Sequence, residues 1–135
     1  MRSPEEIVNI MMEKDAFSKW LGISILEIEK GRVKLKQEIK PEMLNGFSIA
    51  HGGILYSLAD SALAFAANSH GQKCVSIETS ISHLKKVMPR DIIYAAATER
   101  NRSKSLGVYE VELTNQNEEL VGLFKGTVYV MKDIW

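Results

Sequence analysis

This chain offers few of the usual chemical handles. Among 135 residues there is one cysteine, Cys74, so no internal disulfide can form, and such usage suits a reducing compartment. Neither sign of charge is in excess: 17 Lys and Arg balance 17 Asp and Glu. That balance argues against general nucleic-acid or anionic-membrane binding, and neither partner is expected. No apolar run reaches the ~20 residues that span a bilayer. Met1-Arg2-Ser3-Pro4-Glu5-Glu6 turns acidic at once, with no apolar secretory core behind it. A cytoplasmic location is the expectation. His70 and His83 match no metal-ligand spacing and no Cys or His pair supports them, so no metal site is expected.

What remains is an ordinary globular composition, 45% hydrophobic and 25% charged. A chain of this length forms a single domain, residues 1–135, and buries roughly two thirds of its unfolded surface without staples. Ser3-Pro4-Glu5-Glu6 predicts a helix start, with Ser as N-cap, Pro in the first turn and acids at the positive dipole end. Ile7, Ile10, Met11 and Phe17 continue it at helical spacing to Leu21-Gly22. The period then changes to two. In Arg32–Lys40 the side chains of Val33, Leu35 and Ile39 face one way and Lys34, Lys36, Glu38 and Lys40 the other. This predicts a half-buried antiparallel strand, paired through Glu29-Lys30-Gly31 with Ile23–Ile28.

Gly53–Ser69 is the most apolar segment and carries one charge, Asp60; it predicts a buried helix. Alternating segments follow at 74–84, 92–100, 106–115 and 120–131, the last two joined by an Asn115–Glu118 turn. The order predicts an α+β fold in which an antiparallel sheet wraps one long central helix. One sheet on one helix leaves the helix flank and a sheet edge poorly covered, so a homodimer is expected.

The chemistry concentrates between Asn45 and Asp60. Gly52-Gly53 at a helix start lets a ligand approach free backbone N–H groups, which with the helix dipole can polarise a carbonyl. The same pair equally suits a tight chain entry into the helix. Asp60 is a poor helix-interior residue amid apolar neighbours, and such buried carboxylates concentrate at active sites. It lies eight residues beyond Gly52, ~12 Å along a helix axis, too far to serve a carbonyl held at that N-terminus. Two such helices packed antiparallel about a two-fold would bring one chain's Asp60 to the other's Gly52, giving shared active sites. His51 could place a water or cap the helix. Gly46-Phe47-Ser48-Ile49-Ala50 misses the last glycine of a nucleophile elbow, so Ser48 is rejected as a nucleophile. Cys74 suits a small buried position. Six basic residues fall between Lys85 and Lys104, including Lys85, Lys86, Arg90, Arg100 and Arg102. Such a run is either a solvated face or a cradle for ligand phosphates.

Asn45-Gly46, four intervening residues, His51-Gly52-Gly53, six more and then Asp60 form a pattern that closely resembles the PaaI-type (phenylacetate-degradation) hotdog-fold acyl-CoA thioesterases. Leu58–Ala62, Leu84–Asp91, Gly107-Val108-Tyr109 and Phe124–Thr127 extend the likeness over most of the chain. The resemblance implies a hotdog dimer, often paired into a dimer of dimers, that hydrolyses acyl- or aryl-CoA esters with no cofactor beyond the CoA of its substrate. Phenylacetyl or a hydroxylated relative is the favoured acyl group. It implies that the Gly52 N–H polarises the carbonyl, that Asp60 of the facing subunit is nucleophile or general base, and that Asn45 and His51 place the water or acyl group. Gly53, Lys85, Lys86 and Arg90 are the expected substrate contacts, Arg90-Asp91 replacing a Gly-Asp pair common in the family. Two alternatives stand beside it: a non-catalytic acyl-CoA sensor, and a hotdog dehydratase or hydratase.

Overall fold

The computed structural model describes the whole chain, Met1–Trp135. Its first helix, α1 (Pro4–Lys14), opens on a capping box: Glu6 N–H donates to Ser3 Oγ at 3.1 Å, and Ser3 N–H to the Glu6 carboxylate at 3.2 Å. Where one helix is expected from the sequence, there are two. Asp15 leaves helical geometry at φ −90°, ψ 85°, and its carboxylate accepts the Ser18 N–H at 2.9 Å and the Ser18 hydroxyl at 2.6 Å. An aspartate that can cap a new helix competes with continuing the old one. α2 (Ala16–Leu21) follows and stops at Gly22, which holds a left-handed φ of 74°. Phe17, expected on the apolar stripe, is 53% exposed after this break.

Six strands form one antiparallel sheet: β1 (Ser24–Glu29), β2 (Arg32–Glu38), β3 (Gln72–His83), β4 (Ile92–Arg102), β5 (Leu106–Thr114) and β6 (Leu120–Ile134). Their spatial order is β1-β2-β4-β5-β6-β3. The alternation expected in β2 is present, with Val33, Leu35 and Gln37 buried between exposed or half-buried neighbours. β2 stops two residues before Lys40 because Pro41 opens a 3₁₀ turn, Pro41–Met43, and Pro has no N–H to give a ladder. The two sheet edges differ. β1 is short and carries Glu27 and Glu29, whereas β3 runs 12 residues with Val75 and Ile77 at least half exposed.

α3 (Gly52–Asn68) lies across the sheet and packs on β2 through β6. Ile54, Leu55, Leu58, Ala59, Ala62, Leu63, Phe65 and Ala66 join a continuous core of 29 buried residues. β6 approaches the helix so closely that a Cβ on Gly126 would sit 2.5 Å from a Leu63 methyl, so any larger residue there would force Leu63 to move. The architecture is the α+β arrangement expected, a sheet wrapped on one long helix. One stripe of α3 is not enclosed: Tyr56, Ser57, Asp60, Ser61 and Ala64 are half-buried. Their spacing puts them on one face. No helix is long and apolar enough to cross a membrane.

Candidate active site

The head of α3 is built by a loop that folds on itself. Asn45 Oδ1 accepts the N–H groups of Phe47 (2.9 Å) and Ile49 (3.4 Å), closing an Asx turn, while its side-chain amide makes no bond within the chain. His51 is the N-cap. Its Nδ1 accepts the Gly53 N–H at 2.8 Å, which places the ring proton of neutral His51 on Nε2. The Gly53 N–H is therefore engaged within the chain. The Gly52 N–H is not: it has no partner in the chain, at the positive end of a 17-residue helix.

Gly52, Asn45, Leu55, Lys85 and Lys86 line a cleft of about 380 Å³. His83, dismissed on sequence spacing, lines it too, and a Cβ on Gly52 would meet the His83 ring at 3.1 Å. Lys85 is also paired with the Glu119 carboxylate. Arg90 lies outside this lining, in a left-handed turn (φ 72°) where its N–H donates to Ile39 O. Asp91 beside it is committed to structure, accepting from Met88 N–H at 2.8 Å and Gln116 Nε2 at 2.9 Å. Arg100 and Arg102 fall on β4 rather than in a loop. Arg100 pairs with Glu110, and Arg102 reaches the far end of α3. The basic run thus contributes Lys85 and Lys86 to this cleft and no more.

On its other side, the helix head borders a second cavity of about 390 Å³, lined by His51, Gly53, Ile54, Met43, Phe17 and Trp20. Phe17 and Trp20 stack with centroids 6.0 Å apart and planes 9° apart, and about half of each is exposed. Phe17 also walls a third cavity, which holds Asp60 with Ser18, Tyr56, Ser57 and Ser61. Asp60 has no hydrogen-bond or ion-pair partner in its own chain, and burial pushes its pKa up. It is eight residues from Gly52 on an unbroken helix, so the two are ~12 Å apart along the axis of any one chain.

The family model for the thioesterase superfamily matches residues 47–121, which take in the helix head, Asp60 and β3. The chain belongs to the thioesterase superfamily. Among its relatives is the acyl-coenzyme A thioesterase PaaI of Escherichia coli K12, 40% identical over 116 residues, 86% of this chain and 83% of that one. The solved structure of E. coli PaaI, from the phenylacetic acid degradation operon, superposes with a TM-score of 0.95 over 97% of this chain and 95% of that one, at 35% identity. A Streptococcus mutans protein solved with acetyl-CoA matches at TM-score 0.81 and 26% identity, over 84% of this chain and 91% of that one. This protein is a thioester hydrolase of the PaaI-type hotdog family.

Of the residues read from sequence, this thioesterase gathers Asn45, Gly52, Lys85 and Lys86 in one cleft, with His51 and Gly53 on its flank. Asp60 stands apart in its own cavity and Arg90 outside both. His83, Phe17 and Trp20, which line these cavities, were not among the candidate site residues. The signal for the aromatic pair was available: two large rings on a short amphipathic helix with a polar break before it.

Proposed function

We propose that this thioesterase hydrolyses acyl-CoA esters in sites shared between two chains. The observation that carries the reading is the unpartnered Gly52 N–H at the head of α3, with an unpartnered Asp60 two turns along the same helix. The N–H and helix dipole stabilise the oxyanion that forms on the thioester carbonyl. The ionised Asp60 carboxylate either attacks the carbonyl or takes a proton from a water that does. It is supplied by the facing subunit, because within one chain it lies ~12 Å away. The Asn45 amide and the His51 Nε2–H are free donors for placing that water or the acyl group.

Two features support the homodimer. The long apolar edge of β3 is hydrogen-bonded on one side only, to β6. The half-open stripe of α3 that carries Asp60 is next to it, for Tyr56 on that stripe bonds to Thr79 of β3. A dimer of dimers would use the outer sheet face, where exposed Leu106 and Tyr129 stand opposite each other on β5 and β6. Related proteins named for acyl-CoA hydrolysis or solved with acetyl-CoA favour CoA as the carrier. Lys85 and Lys86 suit its phosphates, with Arg90 a more distant contact. The stacked Phe17–Trp20 pair beside the helix head favours a flat acyl group such as phenylacetyl or a hydroxylated relative. The mechanism calls on no metal or prosthetic group, and the single buried Cys74 accords with the cytoplasm.

Thiol release from a panel of aryl-, short-, medium- and long-chain acyl-CoA esters tests the activity. Tight binding of these esters without turnover would make the chain a sensor. Unsaturated or hydrated thioester products without thiol would make it a dehydratase or hydratase. Mixed dimers test the sharing. Gly52→Pro deletes the free N–H at the first helical position, where proline suits the backbone and His51 before it is already extended at φ −62°, ψ 136°; its Cβ also presses the His83 ring of the same chain. A dimer of one Gly52→Pro chain and one Asp60→Asn chain should keep one working site of two, although each parent loses about 100-fold or more. An inactive mixture would mean that each site is built within one chain.

A further inference from the structure

We propose that His83 is a catalytic residue of this thioesterase, the acid that protonates the departing thiolate. The inference rests on the hydrolase reading above. Of the three histidines, two are engaged: His51 Nδ1 accepts the Gly53 N–H, and His70 Nε2 lies 2.7 Å from Glu99. His83 makes no side-chain hydrogen bond or ion pair. It is the last residue of β3, and its ring is turned toward the head of α3. The ring atoms nearest a Cβ on Gly52 would be Nε2 at 3.1 Å and Cε1 at 3.2 Å, with Cδ2 farther off at 3.9 Å. The tip of the imidazole therefore stands beside Gly52, in the same cleft as the N–H that would polarise a thioester.

The other parts of the site leave this task open. Gly52 meets the carbonyl oxygen and Asp60 provides the attack, but a C–S bond also has to break. When the tetrahedral intermediate collapses, the C–S electron pair goes to sulfur and sulfur takes the Nε2 proton of the His83 imidazolium. Hydrolysis releases both protons of the water, one on the path through Asp60 and one as the new carboxylic acid ionises, and the ring takes one proton back from solvent. The sum is thioester plus water giving carboxylate, thiol and one proton. Lys85 is paired with Glu119, and His51 is fixed by its cap and faces the cavity of Phe17 and Trp20, which leaves His83 as the free titratable donor closest to Gly52.

The test varies the leaving group at constant acyl group. Phenylacetyl esters of CoA, of pantetheine and of an electron-poor aryl thiol are compared by kcat/KM for wild type, His83→Gln and Lys86→Met. His83 is exposed at a strand end, and a melting curve confirms that each variant is folded. His83→Gln should lose about 100-fold on the two alkyl-thiol esters and less than about threefold on the aryl-thiol ester, whose thiolate leaves without a proton. Lys86→Met should lose activity only on the CoA ester. Equal losses by His83→Gln on all three esters, or no loss at all, would overturn the proposal and leave the hydrolase reading intact. A wild type that releases no thiol from any of them would overturn both.

Discussion

The two ends of α3 are opposites. At its tail every polar group is held. Arg102 donates to Ala67 O at 3.0 Å, and Asn68 Nδ2 to Ala64 O at 2.8 Å and Cys74 O at 3.2 Å. Asn68 Oδ1 accepts from Cys74 N–H at 2.8 Å and Trp135 Nε1 at 2.9 Å. Tyr109, fully buried, joins Glu99 at 2.6 Å to Arg102 at 3.1 Å. At the head, the Gly52 N–H, the Asn45 amide, both nitrogens of His83 and the Asp60 carboxylate two turns on have no partner. A folded chain satisfies its buried polar groups unless something else is to satisfy them. The tail spends its polar groups on stability; on the function proposed above, the head's are left for substrate.

The electrostatics run in opposite directions too. Burial raises the pKa of Asp60, so its contribution to stability is present below the unfolded pKa and is lost as pH rises through the folded one. Burial also pushes on Glu99, but the bonds from Tyr109 and His70 and the charge of Arg102 outweigh it and hold its pKa low. Burial lowers His70. Both tail groups give stability at neutral pH that is lost as pH falls.

The largest effect should come from Asp60→Asn. Thiol release falls by about 100-fold or more while the assembly persists, since the missing charge is needed only in the reaction. The same change removes a desolvated charge, so the melting temperature at pH 7 holds or rises by on the order of 1–3 °C. Because activity needs the ionised form, the wild-type rate should fall on the acid side along a limb lying above the usual aspartate range, and the variant should lack that limb. A variant that loses activity only because it melts, or a wild-type rate flat from acid to neutral pH, would erase the contrast between the ends.

Asn68→Ala asks the reverse at the tail. It strands the Cys74 N–H and the Trp135 indole N–H and frees the Ala64 and Cys74 carbonyls, at a cost of about 2–3 kcal/mol. Chemical denaturation should report that loss, while kcat of the folded protein stays within about twofold. A comparable loss of kcat would show that the tail is coupled to the site.

The contrast was partly legible in the residues. Alternation at Val33 and Leu35, the apolar run of α3 and its lone Asp60 each have a local signature, so the strands, the central helix and one candidate acid could be placed. Distances along a helix follow from its rise, which is why the ~12 Å between Gly52 and Asp60 pointed to a second chain. His83 has no such signature. It meets Gly52 only because β3 pairs with β6 in a register that carries its end to the helix head, a tertiary fact set 31 residues away. Arg102 misled for a related reason. A basic residue in a basic run reads as surface, whereas its stem here lies against the tail and its guanidinium holds a helix carbonyl and a tyrosine. The break at Asp15 turned on whether one aspartate caps or continues a helix, a choice worth only about 1 kcal/mol.

The smallest effect concerns what the head recognises. Trp20 is half exposed, so replacing it with alanine removes little core packing and should leave the melting temperature within a few degrees. If the stacked pair receives the acyl group, Trp20→Ala removes one face of an aromatic contact worth about 0.5–1.5 kcal/mol, beyond the apolar area lost alike for any acyl chain. The ratio of kcat/KM for phenylacetyl-CoA over hexanoyl-CoA should then fall by about three- to tenfold. Thiol release from acetyl-CoA, whose acyl group offers a single methyl to the rings, should change least. A ratio that stays put would separate the aromatic pair from the substrate and leave it as cover for the α3 stripe.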